Sequence, residues 1–414
     1  MKTPSCHLMV GISTQQNTAN LVPSFQFNAE ELLLLETNGA KENKWSQGIK
    51  KVAERRGKKF AILSIGDGSD IASIMDDLKK KIDGITQPIC WNIGGGQKIQ
   101  TLALITMFQE RIREGRTDWL CYSDPQPRST FVVESHETIL SSQQMRTSII
   151  DLSLEDIMST FNYKFEGKEH TLLWNRKNEN EGNLNMEKLF TDEQVAFFYD
   201  FNNRQRMLRY TLDVENGHQA EDPDVVFGGG TKKLADYFEK VVQAQVARIV
   251  TSSPANHRIN QVWANVTVMS EHVKDNKQEF DVLLVTDFGT LIALDAKTYK
   301  FAKKDEDART FNLNKVSGFY TDFWSVFPFF KKDIEEADSL LQTNEEWRKL
   351  LHRPFEIKKR DGKMLVVTEK EHAKFALRIG RNNHFSVVQP DRKGAIGLDS
   401  LANMLEILKL STTR

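Results

Sequence analysis

Two aspartates and a lysine in the second half of the 414-residue sequence form its strongest chemical signal. Asp281 and Asp295 are 14 positions apart, and Lys297 follows two positions later. Two carboxylates held close together repel each other unless a divalent cation lies between them. Such a cation polarises a phosphate and lowers the pKa of bound water, and a nearby ammonium orients that water or stabilises developing charge. The pattern therefore indicates hydrolysis of a phosphodiester.

A hairpin is expected to bring these side chains together. Residues 280–286 and 291–296 read as two short strands joined by a tight turn. The chain then returns close to its starting point, so that Asp281 and Asp295 lie at one end of the hairpin. Because side chains alternate along a strand, Lys297 is expected on the same face as Asp295.

A helix is predicted over residues 231–249, because apolar residues recur there at helical spacing. Asp236 and Glu239 lie off its apolar face and are candidates for a further metal-binding acid. The alternative interpretation is that the short D-x-K motif arises by chance and marks only a solvated surface hairpin. Three lysines beyond the hairpin either contact phosphates or form a solvated basic face: Lys300, Lys303 and Lys304.

A second constellation lies in the first half of the chain, where Gly94-Gly95-Gly96-Gln97-Lys98 separates a predicted strand from a predicted helix. Glycines let the backbone approach a ligand closely, and the N–H groups at a helix start attract phosphate. A polar loop at residues 13–17 follows the first strand, and such loops converge on one crevice in a doubly wound sheet. We expect a pocket for an anionic nucleotide. The alternative is a plain strand-to-helix turn, because neither a Walker loop nor a G-x-G-x-x-G spacing is present.

Strands and helices alternate through residues 1–150, which favours a parallel sheet with helices on both faces. Strands are predicted at 8–12, 31–36, 60–65, 89–93 and 119–122, and helices at 44–56, 71–82 and 99–114. Residues 151–225 are less regular, with one predicted helix at 191–209. The acidic, proline-containing stretch at 221–224 predicts a boundary, and a second unit is expected from 226 to 414.

The composition is that of an ordinary globular protein, with 39% hydrophobic and 27% charged residues and a net charge of −1. Attraction of the whole molecule to nucleic acid is therefore not expected, and any such site depends on local basic clustering. Cys6, Cys90 and Cys121 lack metal-binding or disulfide spacing, which favours a reducing cytoplasm. We expect neither a signal peptide nor a membrane span, because no apolar run reaches about 18 residues.

Residues 5–130, with the loops at 13–17 and 95–98, resemble a CARF domain, the Rossmann-like sensor of cyclic oligoadenylates made by type III CRISPR complexes. Residues 226–300 resemble the PD-(D/E)xK nuclease fused to that sensor in CARF ancillary nucleases. The resemblance implies an α/β fold in three parts. These are a CARF domain with a parallel sheet at 1–150, a connector at 151–225, and a restriction-endonuclease-like α/β domain with a mixed sheet at 226–414.

The resemblance also implies roles for individual residues. The metal ligands would be Asp281, Asp295 and Ala296, with Lys297 and Glu239 completing the catalytic set. The contacts to the cyclic oligonucleotide would be Ser13, Thr14, Gln15, Asn17, Gly95, Gly96, Gln97 and Lys98. Two departures are visible. Asp295 replaces a glutamate that is more common in this group, and Ala235 stands where related enzymes often carry the helix glutamate.

By the same resemblance we expect a cytoplasmic homodimer in antiviral defence, activated by cyclic tetra-adenylate or another ring size. It would use Mg²⁺ or Mn²⁺ to cleave RNA or DNA, preferably single-stranded. Two rival functions stay open. One is a restriction or repair nuclease without nucleotide control, and the other is a catalytically inactive nucleotide-binding regulator.

Overall fold

Two separate sheets organise the chain. The computed structural model describes residues 5–124, 129–133, 143–145, 152–167, 170–176, 182–205, 226–227, 230–252, 259–272, 277–286, 289–296, 321–327, 393–398 and 401. Within these ranges, one sheet has seven strands and the other has eight. The predicted α/β class is therefore confirmed.

The first sheet has a Rossmann-like core of five parallel strands. They are β1 (Leu8–Ile12), β2 (Glu31–Glu36), β3 (Lys59–Ser64), β4 (Ile89–Asn92) and β5 (Trp119–Asp124). Their order is β3-β2-β1-β4-β5, so the winding direction reverses between β1 and β4. Two antiparallel strands that the sequence did not predict extend the edge beside β5: β6 (Ser129–Val133) and β7 (Gln143–Met145).

Five helices accompany this sheet: α1 (Thr18–Gln26), α2 (Asn38–Glu42), α3 (Trp45–Arg55), α4 (Ile71–Ile82) and α5 (Lys98–Arg113). Helices α3, α4 and α5 lie where the sequence predicts them. Helix α1 was missed, because eight of its nine residues are buried and its polar residues and Pro23 give no amphipathic pattern. Helix α2, of five residues, was also missed.

Helices cover both faces of the sheet. Leu21 and Val22 of α1 pack with Ile49 and Val52 of α3 against one face. Helices α4 and α5 pack against the other face. Because both faces of β1 and β2 are buried, these strands read as continuous apolar runs rather than as alternating ones.

The second sheet is mixed, as expected. Its strands are β8 (Tyr163–Phe165), β9 (Thr171–Arg176), β10 (Gly182–Leu184), β11 (Ile259–Ser270), β12 (Lys277–Thr286), β13 (Leu291–Ala296), β14 (Thr321–Phe327) and β15 (Lys393–Gly397). The order is β10-β9-β11-β12-β13-β14-β15, with β8 also pairing with β11. The pairs from β10 to β13 are antiparallel, whereas β13, β14 and β15 run parallel.

Within the described ranges, three helices belong to this sheet: α6 (Leu154–Thr160), α7 (Asp192–Gln205) and α8 (Gly230–Ser252). Helices α7 and α8 share one hydrophobic core with the sheet, and α6 packs in a second core. Strands β8, β9 and β10 come from segment 151–225, so this segment adds strands to the second sheet. The domain boundaries at 150 and 225 stay a prediction. None of the helices in the described ranges has the length and apolar character needed to cross a bilayer.

The three cysteines are buried and unpaired by disulfides. The Sγ atoms of Cys90 and Cys121 lie 3.4 Å apart on neighbouring strands. Burial raises the pKa of the Cys90 thiol well above its ordinary value, so this thiol is protonated at neutral pH. A protonated, buried thiol is a packing group rather than a nucleophile.

Candidate functional site

The two polar loops of the first half meet at the carboxyl ends of β1 and β4. These strands are adjacent and parallel, and the strand order reverses between them. A Cβ atom built on Gly95 would lie 2.8 Å from Cγ2 of Thr14, so the two loops are in direct contact. This is the position at which open α/β sheets bind ligands.

Hydrogen bonds within the protein shape the loop after β1. The buried Ser13 hydroxyl accepts a hydrogen bond of 2.7 Å from the Ser46 hydroxyl at the start of α3. The buried Asn17 amide accepts from the Thr14 N–H and donates to the Trp45 carbonyl at 2.7 Å. Gln15 is exposed and Thr14 is half-buried. Gln15 and Thr14 therefore face a ligand more openly than Ser13 and Asn17, and all four ligand contacts stay predictions.

A buried pair of asparagines that sequence reasoning missed joins the two loops. The Asn92 side chain donates to Asn20 Oδ1 at 2.9 Å and accepts from the Gly94 N–H at 3.0 Å. Asn20 in turn donates to the Ile12 carbonyl at 2.8 Å. A Cβ on Gly11 would lie 2.3 Å from Asn20 Oδ1, so glycine is required there. The one available signal was the polar Asn92 at the end of an apolar strand.

The glycine turn presents backbone donors and one cation to the crevice. Gln97 caps α5, and its N–H donates to Gln100 Oε1 at 3.0 Å in a capping box. Gly96, Gln97 and Lys98 are exposed, with Lys98 as the first helical residue. The first-turn N–H groups and the Lys98 ammonium both favour an anion at this point.

Replacing Gly96 by alanine is expected to damage both stability and nucleotide binding. Gly96 has φ of +86°, and an added Cβ would lie 2.5 Å from Cγ2 of the buried Ile12. Two effects then lower the free energy of unfolding. The left-handed backbone of a non-glycine residue costs about 1–2 kcal/mol, and overpacking against Ile12 costs about 1–3 kcal/mol more. We expect at least tenfold weaker binding of cyclic tetra-adenylate, measured by titration calorimetry beside urea denaturation.

Gly115→Ala is the matched control for this prediction. Gly115 has φ of +80°, but nothing lies within 4 Å of its added Cβ. It therefore isolates the backbone strain and should leave nucleotide binding unchanged. Equal stability losses in the two variants would show that the contact of the glycine turn with Ile12 has no consequence.

In the second half, the β12–β13 hairpin brings the two predicted aspartates together. The antiparallel register runs to the pair Val282–Leu294, and continuing it by one residue places Asp281 opposite Asp295. The Ala296 N–H donates to Asp281 Oδ2 at 2.6 Å, which holds this carboxylate against the end of β13. Asp295 is buried, with 4% exposure, and Asp281 is half-buried. Two carboxylate side chains thus lie on neighbouring strand ends.

Strand β12 is irregular at Asp281. Its neighbours Phe280 and Val282 belong to the two different cores of the sheet, and β11 opposite carries Asn265 at φ of +53°. The Gln243 amide of α8 donates to Asn265 Oδ1 at 2.9 Å and to the Asp281 carbonyl at 3.4 Å. Helix α8 therefore positions this strand end through Gln243, a contact that sequence reasoning missed.

Glu239 lies on α8, one helical turn before Gln243. Asp295 alternates with Leu294 and Ala296, whose side chains share the core with α8, so Asp295 lies on the opposite face of β13. Among the residues that the structure describes, no three His, Cys, Asp or Glu side chains are close enough together to hold a metal ion. Glu239 thus does not join the two aspartates here, and its catalytic role stays a prediction. Lys297 and the lysines beyond it lie outside the described residues.

Comparison with known proteins finds one family whose members are similar to part of the chain. Residues 9–157 match the Card1 CARF domain family. Among curated proteins, none matches the chain.

Solved structures of similar fold include three of low identity. Can2 from Sulfobacillus thermosulfidooxidans, in complex with cyclic tetra-adenylate, is 14% identical with a TM-score of 0.54, over 80% of this chain and 93% of Can2. Protein VC1899 from Vibrio cholerae is 13% identical with a TM-score of 0.54, over 89% of this chain and 96% of VC1899. A type III CRISPR defence DNA nuclease activated by cyclic oligoadenylate is 14% identical with a TM-score of 0.51, over 78% of this chain and 45% of that one.

At such low identity these structures establish the fold alone. The match to the family and the Rossmann-like sheet with its crevice at β1 and β4 agree with each other. The segment that matches the Card1 CARF domain family, residues 9–157, is thus the segment that carries the Rossmann-like sheet and its crevice.

Proposed function

We propose that the chain is a metal-dependent nuclease of CRISPR defence whose CARF domain senses a cyclic oligoadenylate. The hydrogen bond from the Ala296 N–H to Asp281 Oδ2, 2.6 Å long, carries the enzymatic half of this proposal. It fixes one acid beside the strand end that bears the other acid, Asp295. The likeness in fold to a CRISPR nuclease and to Can2 supports the same function.

The sensing half rests on the crevice between β1 and β4. Its exposed or half-buried groups are amides, a hydroxyl, backbone N–H groups and Lys98, with no acid among the predicted contact residues. Such a lining suits the phosphates of a nucleotide. Can2 binds cyclic tetra-adenylate with the same fold, which makes this ring the first ligand to test. A two-fold symmetric ring favours a homodimer in which two CARF domains share one ligand.

The hairpin end fits Mg²⁺ or Mn²⁺. Asp281 and Asp295 supply carboxylate oxygens, and Ala296 between Asp295 and Lys297 has only its backbone oxygen to offer. Hard oxygen donors of this kind are the ligands that these ions prefer. When bound, such an ion would polarise a phosphodiester and acidify a water molecule.

The residues of the chain then divide the remaining work. Asp281 keeps its orientation through the Ala296 N–H, so that its other lone pairs are directed without reorganisation. Lys297, two residues beyond Asp295, orients the attacking water and stabilises charge on the phosphate. RNA or DNA, preferably single-stranded, is the proposed substrate, and the cytoplasm is the proposed compartment.

A cleavage assay on the full-length protein tests this function. Labelled single-stranded RNA and DNA are incubated with Mn²⁺, with and without cyclic tetra-adenylate, for the wild type, Lys297→Ala and Lys98→Ala. We expect cleavage that needs both additions, no cleavage by Lys297→Ala, and a higher ligand requirement for Lys98→Ala.

The same assay separates the rival functions. Cleavage without nucleotide that is indifferent to Lys98→Ala indicates a restriction or repair nuclease. Binding of cyclic tetra-adenylate without metal-dependent cleavage indicates a catalytically inactive regulator. Wild-type cleavage by Lys297→Ala shows that the assigned centre is wrong.

A further inference from the structure

We infer that helix α3 carries the ligand signal from the loop at residues 13–17 to the half of the chain that bears the acidic hairpin. This inference rests on the proposed function and names the route of its regulation. Helix α3 (Trp45–Arg55) is bonded at its first turn to the candidate ligand loop and along its length to helix α6 and to Glu271, just after strand β11.

The first turn of α3 is tied to the loop by two hydrogen bonds. Ser46 Oγ donates to Ser13 Oγ, and Asn17 Nδ2 donates to the Trp45 carbonyl, each at 2.7 Å. Ser13, Ser46 and Asn17 are all buried. A buried polar group left without its partner costs about 1–3 kcal/mol, so a displaced loop tends to take the helix with it.

The middle of α3 packs directly on the backbone of α6. A Cβ on Gly48 would lie 2.2 Å from the Ser159 carbonyl oxygen and 2.5 Å from that of Thr160. No side chain separates the two helices at this point. A shift of α3 is therefore passed to α6 without the slack that rotamer changes would provide.

Ion pairs join the end of α3 to α6, and we call these ion pairs the clamp. Asp156 of α6 is buried and bonded to both Arg55 and Arg56, and Arg55 also bonds Glu155 at 2.6 Å. Burial alone would raise the pKa of Asp156, but hydrogen bonds from Arg56, the Ser153 N–H and Arg55 lower it below its ordinary value. Asp156 therefore stays ionised at neutral pH, and the clamp persists.

A further ion pair joins α3 to the second sheet directly. Lys51 bonds to Glu271, which directly follows β11. Their side chains are 50% and 25% exposed, so either charge can be reversed without opening a core. Variants of this pair therefore test whether the attachment of α3 to the second sheet transmits the signal.

Helix α6 completes the route. Its Leu154, Ile157 and Met158 pack in one core with residues of the hairpin strands that carry Asp281 and Asp295. The hairpin residues in that core are Leu283, Val285, Leu291 and Ala293. A displacement of α6 therefore reaches the strands whose ends hold the proposed metal ligands.

A second contact offers a competing route. A Cβ on Gly289 of the hairpin turn would lie 2.9 Å from Cγ2 of Val22 on α1, which also begins at the ligand loop. This is a single apolar contact, whereas α3 forms hydrogen bonds and ion pairs at its first turn and along its length. Val22→Ala weakens this contact and therefore tests the competing route.

The test measures transmission by two readouts on the full-length protein. The first is the change in amide hydrogen exchange of residues 154–160 on adding cyclic tetra-adenylate. The second is the ratio of cleavage rates with and without that ligand. Ser46→Ala removes the hydrogen bond to Ser13 in the loop. Lys51→Glu and Glu271→Lys each replace the ion pair by two like charges, and the double variant restores opposite charges. Ser24→Ala is the control, because the buried Ser24 hydroxyl bonds only within α1, to the Leu21 carbonyl.

We expect the ligand to alter exchange in α6 of the wild type. Ser46→Ala should lower the cleavage ratio and the exchange response at least about fivefold, the lower end of typical coupling, at similar ligand affinity. Each charge reversal should lower them about two- to fivefold, as an exposed ion pair allows, and the double variant should recover to within about twofold.

Two outcomes overturn the inference. One is an α6 that does not respond to the ligand in the wild type, even if cleavage is activated. The other is a loss of coupling in Val22→Ala with full coupling in Ser46→Ala and Lys51→Glu. Absence of cleavage with an intact α6 response sinks the proposed nuclease function instead, and the relay through α3 stands.

Discussion

Replacing Asp295 by asparagine is expected to lower the cleavage rate by at least about two orders of magnitude while the fold stays intact. Asparagine keeps the shape of the side chain and removes the negative charge that the proposed cation needs. Loss of one preorganised electrostatic group commonly costs a factor of about 10²–10³, or about 3–4 kcal/mol in activation free energy. Because Asp295 is buried at the strand end opposite Asp281, no solvent-held carboxylate replaces it.

Metal binding gives this variant a readout that does not depend on activity. Two like charges become one, so the metal-free protein should be as stable as the wild type or slightly more stable. Added Mn²⁺ should raise the midpoint of thermal unfolding of the wild type more than that of Asp295→Asn, because only binding to the folded state stabilises it. Calorimetry in a manganese titration measures this difference.

Glu279→Gln is the matched control. Glu279 lies two residues from Asp281 on the same strand, is exposed, and forms an ion pair of 3.1 Å with Lys277. Its neutralisation should change neither cleavage nor the manganese shift. An Asp295→Asn protein that cleaves at the wild-type rate, with an unchanged manganese shift, would remove the basis for the metal centre.

The sequence predicts this arrangement as far as local pattern reaches. Continuous apolar runs predict β1, β2 and β4, and the alternating strands and helices predict a parallel sheet. From there, the rule that ligands bind at the carboxyl ends of such strands predicts that the two polar loops meet. The hairpin follows similarly from two short strands and a tight turn, which explains why the pairing of β12 with β13 could be predicted from the sequence.

Contacts between distant segments could not be predicted in this way. Strands β8 and β9 join the second sheet by pairing with β11, about a hundred residues later in the chain, and β10 pairs with β9. The Asn20–Asn92 pair and the contact of Gln243 with Asp281 likewise depend on tertiary packing. The role of Glu239 in the proposed metal site likewise stays a prediction, because helical spacing gives the face of a helix but not the side chains that this face meets.

The second large effect is expected from Asp118, at the opposite end of the first sheet from the crevice. Its fully buried carboxylate bonds Arg111 Nε at 2.6 Å, Trp91 Nε1 at 2.8 Å and the Ile89 N–H at 3.1 Å. Asp118→Ala leaves a buried guanidinium and two N–H groups without this partner. Breaking one side of a buried ion pair costs about 3–5 kcal/mol. That is a large part of the 5–15 kcal/mol that typically stabilises a domain.

Urea denaturation followed by tryptophan fluorescence measures this loss. Asp77→Ala is the control, because Asp77 forms an exposed ion pair of 3.2 Å with Lys80 and should cost less than about 1 kcal/mol. Equal midpoints for the two variants would contradict the role assigned to Asp118.

The position of Asp118 adds a further consequence. Asp118 directly precedes β5 and bonds the first residue of β4, whereas the ligand crevice lies at the carboxyl ends of these strands. The variant should therefore lose stability without losing contacts to the nucleotide. A ligand at 100 times its Kd returns about 2.7 kcal/mol by mass action. Saturating cyclic tetra-adenylate should thus bring the urea midpoint of Asp118→Ala most of the way back to that of the ligand-free wild type. The midpoint of a crevice variant such as Gly96→Ala should recover far less.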